Sequence, residues 1–267
     1  MGTTRQAPKA NMSTLFRIVR RIYAELVFGD FRMPGQSTKI LKKYAQRLPP
    51  GALVLDAGAG ELSHQSLFRS QRYLSLEIDR DFQPLLQGDL CALPIRDQTL
   101  EAILCSQVLE HLPQPGQALK EMWRVLKLDG TVLISVPFFY PVHITNSQYG
   151  DYYRWTEFGL GEMLNQNGFE TVSIYYNGGL FSAMAETMTR SFMQWLKPPG
   201  RLWGTIYMIP FCLAQCLVRL VLLPLEAIMA SLDLLYRKRD CPMGYTVIGR
   251  KVDRVSHTED LRVANND

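Results

Sequence analysis

The feature that most constrains this chain is a series of short apolar runs, "ALVLDAG", "RYLSLEID", "EAILCSQV" and "TVLISVPF". Turn signals and segments with helical spacing, such as "PGQALKEMWRVLKLDG", separate them. Runs this continuously apolar read as strands buried on both sides, and their alternation with helical segments predicts a parallel sheet with helices on both faces. Two later runs, "TVSIYY" and "GYTVIGRKV", are further strand candidates. The segment "TEFGLGEMLNQNGF" predicts a helix with Thr156 as N-cap and Gly168 as C-cap.

With 267 residues, 47% of them apolar, the chain can bury one large core and carry an elaboration on it. A formal net charge of +4, dispersed along the sequence, argues against nucleic acid as a partner. The five cysteines form no CxxC pair and no Cys/His cluster with metal-ligand spacing, so they read as reduced thiols of a cytosolic protein and no metal site is expected. The polar stretch "MGTTRQAPKANMST" shows neither a secretory nor a myristoylation signal. From Ser13, "STLFRIVRRIYAELVF" places Leu15, Ile18, Val19, Ile22 and Leu26 on one face of a basic amphipathic helix. The expected organisation is this helix and a linker over 1–35, a main domain over 36–253 with an apolar helical insert at 179–241, and a polar tail over 254–267.

In an open parallel sheet, ligands bind beyond the carboxyl ends of the strands where strand order reverses, usually just after the first strand. "VLDAGAGELSH" occupies that position. Gly58 and Gly60 let the backbone approach a ligand closely, and Asp56 at the strand end can accept hydrogen bonds from it or orient the loop. Alone, such a loop is also compatible with a bare turn. Glu77, ending "YLSLE", stands where a carboxylate can take both hydroxyls of a ribose. Asp89 can accept from an adenine amino group with Leu90 against the ring, and Ser106 and Gln107 end the fourth strand at the same rim. A nicotinamide-dependent oxidoreductase would use the same crevice with a GxGxxG loop, and Ser63 in the third small position leaves that reading open on the loop alone.

The stretches "VLDAGAG", "LSLEID", "GDLCALPI", "LEAILCSQVLEHLPQPGQALKEMWRVLKLDGTVLISVP" and "GYTVIGRK" together resemble a class I S-adenosylmethionine-dependent methyltransferase of the type 11 domain group. The resemblance implies an α/β fold: a Rossmann-like, seven-stranded, mostly parallel sheet whose last two strands form a hairpin interrupted by the insert. It implies S-adenosylmethionine as the cofactor, with Asp56, Gly58 and Gly60 around its methionine part, Glu77 on the ribose, and Asp89 with Leu90 framing the adenine. Ala57, Ile78, Ser106 and Gln107 complete the expected cofactor rim. The chain departs from many relatives at Leu62, where a further glycine is usual, and at Asp129-Gly130, where a Gly-Gly pair is usual.

Methyl transfer from a sulfonium is an in-line displacement, so much of the rate comes from positioning, and a base is needed only if the acceptor must lose a proton. His111 in "SQVLEHL" is one candidate base, with packing or capping as its structural alternative. His143 lies on the loop "YPVHITNSQYGDYYRWT" with Asp151 and Arg154, which could orient an acceptor or simply staple the loop as an ion pair. The acceptor expected is a small molecule or an amphiphilic, lipid-like compound. A non-catalytic adenosylmethionine-binding protein at a membrane is a further alternative.

The insert carries the run "LWGTIYMIPFCLAQCLVRLVLLPLEAIMASLDLLY", with only Arg219, Glu226 and Asp233 charged. Gln215, Arg219, Glu226, Asp233 and Arg237 recur at helical spacing as one narrow polar stripe, and Pro210 and Pro224 are expected to break or kink the helix. If the strands flanking the insert are neighbours in one sheet, its ends lie on the same side and a single membrane crossing is excluded. Three readings follow for 202–239: a cap on the domain, a membrane-surface anchor bracketed by Lys197, Arg201, Arg237, Lys238 and Arg239, or an apolar wall for the acceptor.

Overall fold

The structure, a computed structural model, describes residues 34–60, 64–142, 150–195, 205–236 and 240–253, with backbone alone at 34–37, 193–195, 205–216 and 219. The N-terminal amphipathic helix, His143, the basic residues bracketing the insert and the polar tail lie outside the described residues.

Seven strands form one sheet: β1 (Leu53–Ala57), β2 (Arg72–Glu77), β3 (Leu86–Gln87), β4 (Leu100–Ser106), β5 (Leu126–Pro137), β6 (Phe169–Asn177) and β7 (Gly244–Lys251). Their order is β3-β2-β1-β4-β5-β7-β6. All pairings are parallel except those of β7, which runs antiparallel to both β5 and β6. The chain pairs outward from β1 through β2 and β3, then restarts on the opposite side of β1 with β4. That reversal opens a crevice at the carboxyl ends of β1 and β4.

Side chains alternate across the sheet, and both sets are buried. Val54, Ala102, Leu104 and Leu133 pack on one face against Ile40, Leu41, Tyr44 and Ala45 of helix α1 (Pro34–Arg47). Leu55, Ile103, Cys105, Val132 and Ile134 pack on the other against helices α2 (Pro115–Val125) and α3 (Glu157–Gln166). Burial on both faces is why these strands read as unbroken apolar runs. The Tyr44 hydroxyl ties α1 to β5, 2.7 Å from Thr131 Oγ1. Thr156 caps α3 by accepting from the Gly159 amide at 3.1 Å.

Three expectations are corrected. The β1–β2 and β2–β3 connections hold only three-residue 3-10 turns among the described residues, Gln65–Leu67 and Arg80–Phe82, so helices do not alternate with every strand. Helix α2 stops at Val125, because "LKLD" already belongs to β5 through a register shift opposite Leu100 and Ala102. The C-cap of α3 is Asn167, and Gly168 follows it in a left-handed conformation.

The long connection between β6 and β7 forms helices α4 (Leu180–Trp195) and α5 (Thr205–Leu235), packed against each other. Helix α5 runs through Pro210 and Pro224 without a break. Each proline removes one hydrogen bond from a helix of 31 residues, which leaves the rest of the ladder in place. Asn177 and Gly244 pair directly, so this helical hairpin leaves and re-enters the sheet at one point.

Asp129 sits at φ 61° within β5, a conformation that costs an L-residue free energy and glycine almost none. Its ion pair with Arg250, at 4.0 Å between exposed side chains, offsets little. Asp129→Gly is therefore expected to raise stability by up to ~1 kcal/mol, read as a higher midpoint in urea at unchanged m-value.

Candidate active site

Residues 56–60 leave β1 at the crevice. The amides of Gly58 and Ala59 both donate to the Leu76 carbonyl, at 2.9 and 3.0 Å, so the loop turns back over the end of β2. Gly58 has φ +81°, and a Cβ there would lie 2.5 Å from Val108. Gly60 has φ +47° with open space where a Cβ would stand. The first glycine is required by packing and backbone together, the second by backbone alone.

Glu77 ends β2 beside this loop. Its carboxylate accepts from the Gly60 amide at 3.1 Å and from the Ile78 amide at 2.9 Å. The Asp79 amide also donates to it, at 3.4 Å, and a carboxylate offers about four lone-pair positions, so room is left for an incoming hydroxyl. Ile78 is exposed beside it and Ala57 is fully buried under the loop. Asp89 lies two residues past β3, where its carboxylate accepts from the Cys91 amide at 2.8 Å, while Leu90 is packed into the main core. Ser106 ends β4; Gln107 follows at φ 57° and donates its amide to the Ser135 carbonyl at 2.8 Å. Gly58, Gly60, Glu77, Ser106 and Gln107 are thus brought to one rim at the strand reversal.

Asp56 does not open toward that rim. It is 1% exposed and accepts a hydrogen bond from the Tyr73 hydroxyl on β2. Of the two uses expected for it, the geometry supports orienting the loop. Burial pushes its carboxyl up to about 6; the Tyr73 hydrogen bond opposes the shift and the Glu77 charge adds to it. Tyr73 went unnoticed in the sequence because an aromatic residue on a buried strand carries no functional signal by itself.

Past β4, a 3-10 turn carries Leu109–His111. His111 Nδ1 lies 2.7 Å from the Gly150 carbonyl. A carbonyl only accepts, so Nδ1 carries the proton and the neutral ring keeps its lone pair on Nε2. His111 Nε2 is 4.0 Å from Glu110 Oε1. Glu110 is the residue the sequence reading missed. It is fully buried and neither carboxyl oxygen has a hydrogen-bond partner of ordinary geometry. Burial pushes it up to about 8; the nearby Asp151 charge adds to the shift, while its own backbone amide and Arg154 oppose it. The Tyr152 amide donates to the Glu110 carbonyl at 2.8 Å, so the segment from Gly150 is stitched to this turn on both sides.

Asp151 and Arg154 form a two-point ion pair, with Nη2 2.6 Å from Oδ2. Arg154 also donates to the carbonyls of Tyr140, Pro141 and Tyr153. Both groups are occupied with the loop itself, which supports stapling over orienting an acceptor. Tyr153 stacks on Trp155 with ring centroids 5.3 Å apart, giving this side of the rim an aromatic wall. Among the described residues, no group of three or more His, Cys, Asp or Glu side chains is placed to hold a metal ion.

Asp56 and Glu110 both hold protons more tightly folded than unfolded, so stability is lost as pH rises from the ordinary carboxylate range toward 8. Glu110→Gln removes the larger of these terms. Its unfolding free energy is expected to exceed the parent's at pH 8 by on the order of a few kcal/mol, and to match it near pH 4. Denaturant titrations across this range read the effect, and parallel curves for the two proteins would show that Glu110 is not held neutral.

Residues 55–134 match the family model described as a methyltransferase domain. Similar curated proteins include a tRNA (carboxymethyluridine(34)-5-O)-methyltransferase from Arabidopsis thaliana, 28% identical over 134 residues that cover 44% of this chain and 33% of that protein. A demethylmenaquinone methyltransferase from Lactobacillus johnsonii is 28% identical over 154 residues, 49% of this chain and 63% of the other. The chain spans less than two thirds of the length of either relative. Among solved structures, a SAM-dependent methyltransferase from Archaeoglobus fulgidus shares the fold, with a TM-score of 0.53 at 17% identity over 87% of this chain and 99% of that one. Residues 55–134 thus match a methyltransferase domain, and the chain shares the fold of a SAM-dependent methyltransferase.

Proposed function

We propose that this protein transfers the methyl group of S-adenosylmethionine to a small or amphiphilic acceptor, and that it works peripherally at a membrane surface. The observation that carries the donor half is the rim itself. Two left-handed glycines face Glu77 at the strand reversal, and among the described residues that follow them before β2 only a three-residue 3-10 turn, Gln65–Leu67, is found. A dinucleotide places its pyrophosphate on a helix N-terminus, so this rim favours a donor without phosphates. Carboxylates at the rim also suit a donor that is itself cationic.

In this reading Gly58 and Gly60 admit the methionine part, with Asp56 holding their loop through Tyr73. Glu77 takes the ribose hydroxyls, Ala57 and Ile78 flank it, and Asp89 with the edge of Leu90 borders the adenine. Ser106 and Gln107 close the far side of the crevice. The donor supplies an activated methyl group, and the protein supplies alignment and a dry environment. Where the acceptor is protic, His111 is the candidate base, its ring held by the Gly150 carbonyl. Asp151 and Arg154 position the aromatic wall, and His143 on the same loop is a second candidate base.

Two features support an amphiphilic acceptor. Tyr152, Tyr153 and Trp155 supply an apolar side to the rim. Helix α4 reaches the same loop through Arg190, whose guanidinium lies 4.8 Å from the centre of the Tyr140 ring. Among the described residues, no helix is long and apolar enough to cross a membrane, so attachment would be to one surface.

Incubation with methyl-labelled S-adenosylmethionine and cell extract, followed by separation of lipid, aqueous and macromolecular fractions, tests the acceptor class. Label is expected in the lipid or small-molecule fraction, and label confined to macromolecules contradicts this reading. Glu77→Ala is expected to weaken donor binding about 10- to 100-fold by calorimetry, the effect of losing hydrogen bonds to a charged group.

A further inference from the structure

The α4–α5 hairpin is built inside out. On α5, Glu226 and Asp233 turn toward α4, while Leu222, Leu223 and Met229 are half-buried. Glu226 accepts from Thr189 Oγ1 at 2.7 Å. Asp233 accepts from the amides of Phe181 and Ser182, both at 2.9 Å, and from the Ser182 hydroxyl. It thereby satisfies the first free amides of α4. Of the expected polar stripe, Glu226 and Asp233 face the partner helix. Leu217, Leu220, Val221, Leu225, Ile228 and Leu235 point outward, between 50% and 81% exposed. On α4, Met184, Met188 and Phe192 recur at a spacing of four and are exposed as well.

A helix pair in water buries its apolar face and exposes its polar one. The reverse arrangement is what a pair of helices adopts against an apolar medium, because polar groups there must find partners between the helices. The outer stripe is aliphatic, poor in the aromatic and Arg anchors that organise protein interfaces. In the sequence, Lys197 and Arg201 precede α5 and Arg237, Lys238 and Arg239 follow it, with no acidic residue in 196–204 or 236–239. Apolar surface bracketed by cations is complementary to the acyl boundary and headgroups of an anionic bilayer. At 1.5 Å per residue α5 is roughly 46 Å long, and the hairpin's ends meet at the Asn177–Gly244 pair. Ends that meet exclude a single crossing, and a helix of this length offers a long face to a surface.

We infer that the outer face of the α4–α5 hairpin docks in the interfacial layer of an anionic phospholipid bilayer. This deepens the proposed reading of a methyltransferase at a membrane by naming the surface that attaches it and the lipid class it selects. The Arg190–Tyr140 contact joins the docked hairpin to the segment that leaves β5.

The full chain is sedimented with vesicles of phosphatidylcholine alone and with vesicles of phosphatidylcholine and phosphatidylglycerol in equal parts. Binding is expected to the mixed vesicles and to fall with added salt. The combined change Leu217→Ser, Val221→Ser and Ile228→Ser removes exposed side chains only. It is expected to lower the bound fraction about tenfold or more while adenosylmethionine affinity stays unchanged. Arg237→Gln, Lys238→Gln and Arg239→Gln together should reduce binding to the anionic vesicles selectively. The inference is overturned if the parent protein ignores both vesicles, or if the serine variant binds as the parent does. It is also overturned if sedimentation velocity shows a dimer that the serine variant dissolves, since a second copy would then cover the face. Loss of lipid binding with donor binding intact refutes only the docking; lipid binding without donor binding refutes the methyl-transfer reading instead.

Discussion

The reversal of strand order between β1 and β4 is the constraint on which the rest depends. With β2 and β3 on one side of β1 and β4 and β5 on the other, the chain cannot cover the carboxyl ends of the two central strands. The turn after β1 is pressed back onto β2, where the Leu76 carbonyl receives two successive amides and Glu77 receives a third from Gly60. Left-handed backbone at Gly58 follows from that compression and from Val108 directly above it. Loop, carboxylate and crevice are consequences of one topological fact.

Two acids at this rim are kept away from water. Asp56 is bonded to Tyr73, and Glu110 lies buried 4.0 Å from His111 with no close partner. Burying carboxyl groups costs stability, and such costs gather where groups must be held in place for chemistry. Asp56 ties the end of β1 to β2 through Tyr73. Glu110 and His111 steady the segment from Gly150 to Arg154 from the other side, through the Gly150 carbonyl and the Tyr152 amide. The segment from Gly150 is thus held by the 3-10 turn that follows β4.

The sheet was legible in the sequence because strands buried on both faces have no polar positions to blur them; Val54-Leu55 and Ile103-Leu104 each serve both cores. Glycine loop, Glu77 and Asp89 were legible because their spacing follows strand length. The 3-10 turns found among the described residues after β1 and β2 were not, since short polar connections carry no period that separates a 3-10 turn from a helix. Tyr73 and Glu110 were hidden for another reason. Each acquires its role from a residue distant in sequence, Asp56 for one and the Gly150–Arg154 segment for the other. In α5 the polar period was visible, yet periodicity gives the spacing of a stripe and not the direction it faces.

The account reduces to a claim about which molecule the strand reversal accommodates. Calorimetric titration of the protein with S-adenosylmethionine, S-adenosylhomocysteine, NAD and NADP tests it most directly. The account predicts saturable one-to-one binding of the two adenosyl sulfur compounds and none of the dinucleotides. Binding of NAD or NADP with no response to S-adenosylmethionine would contradict it.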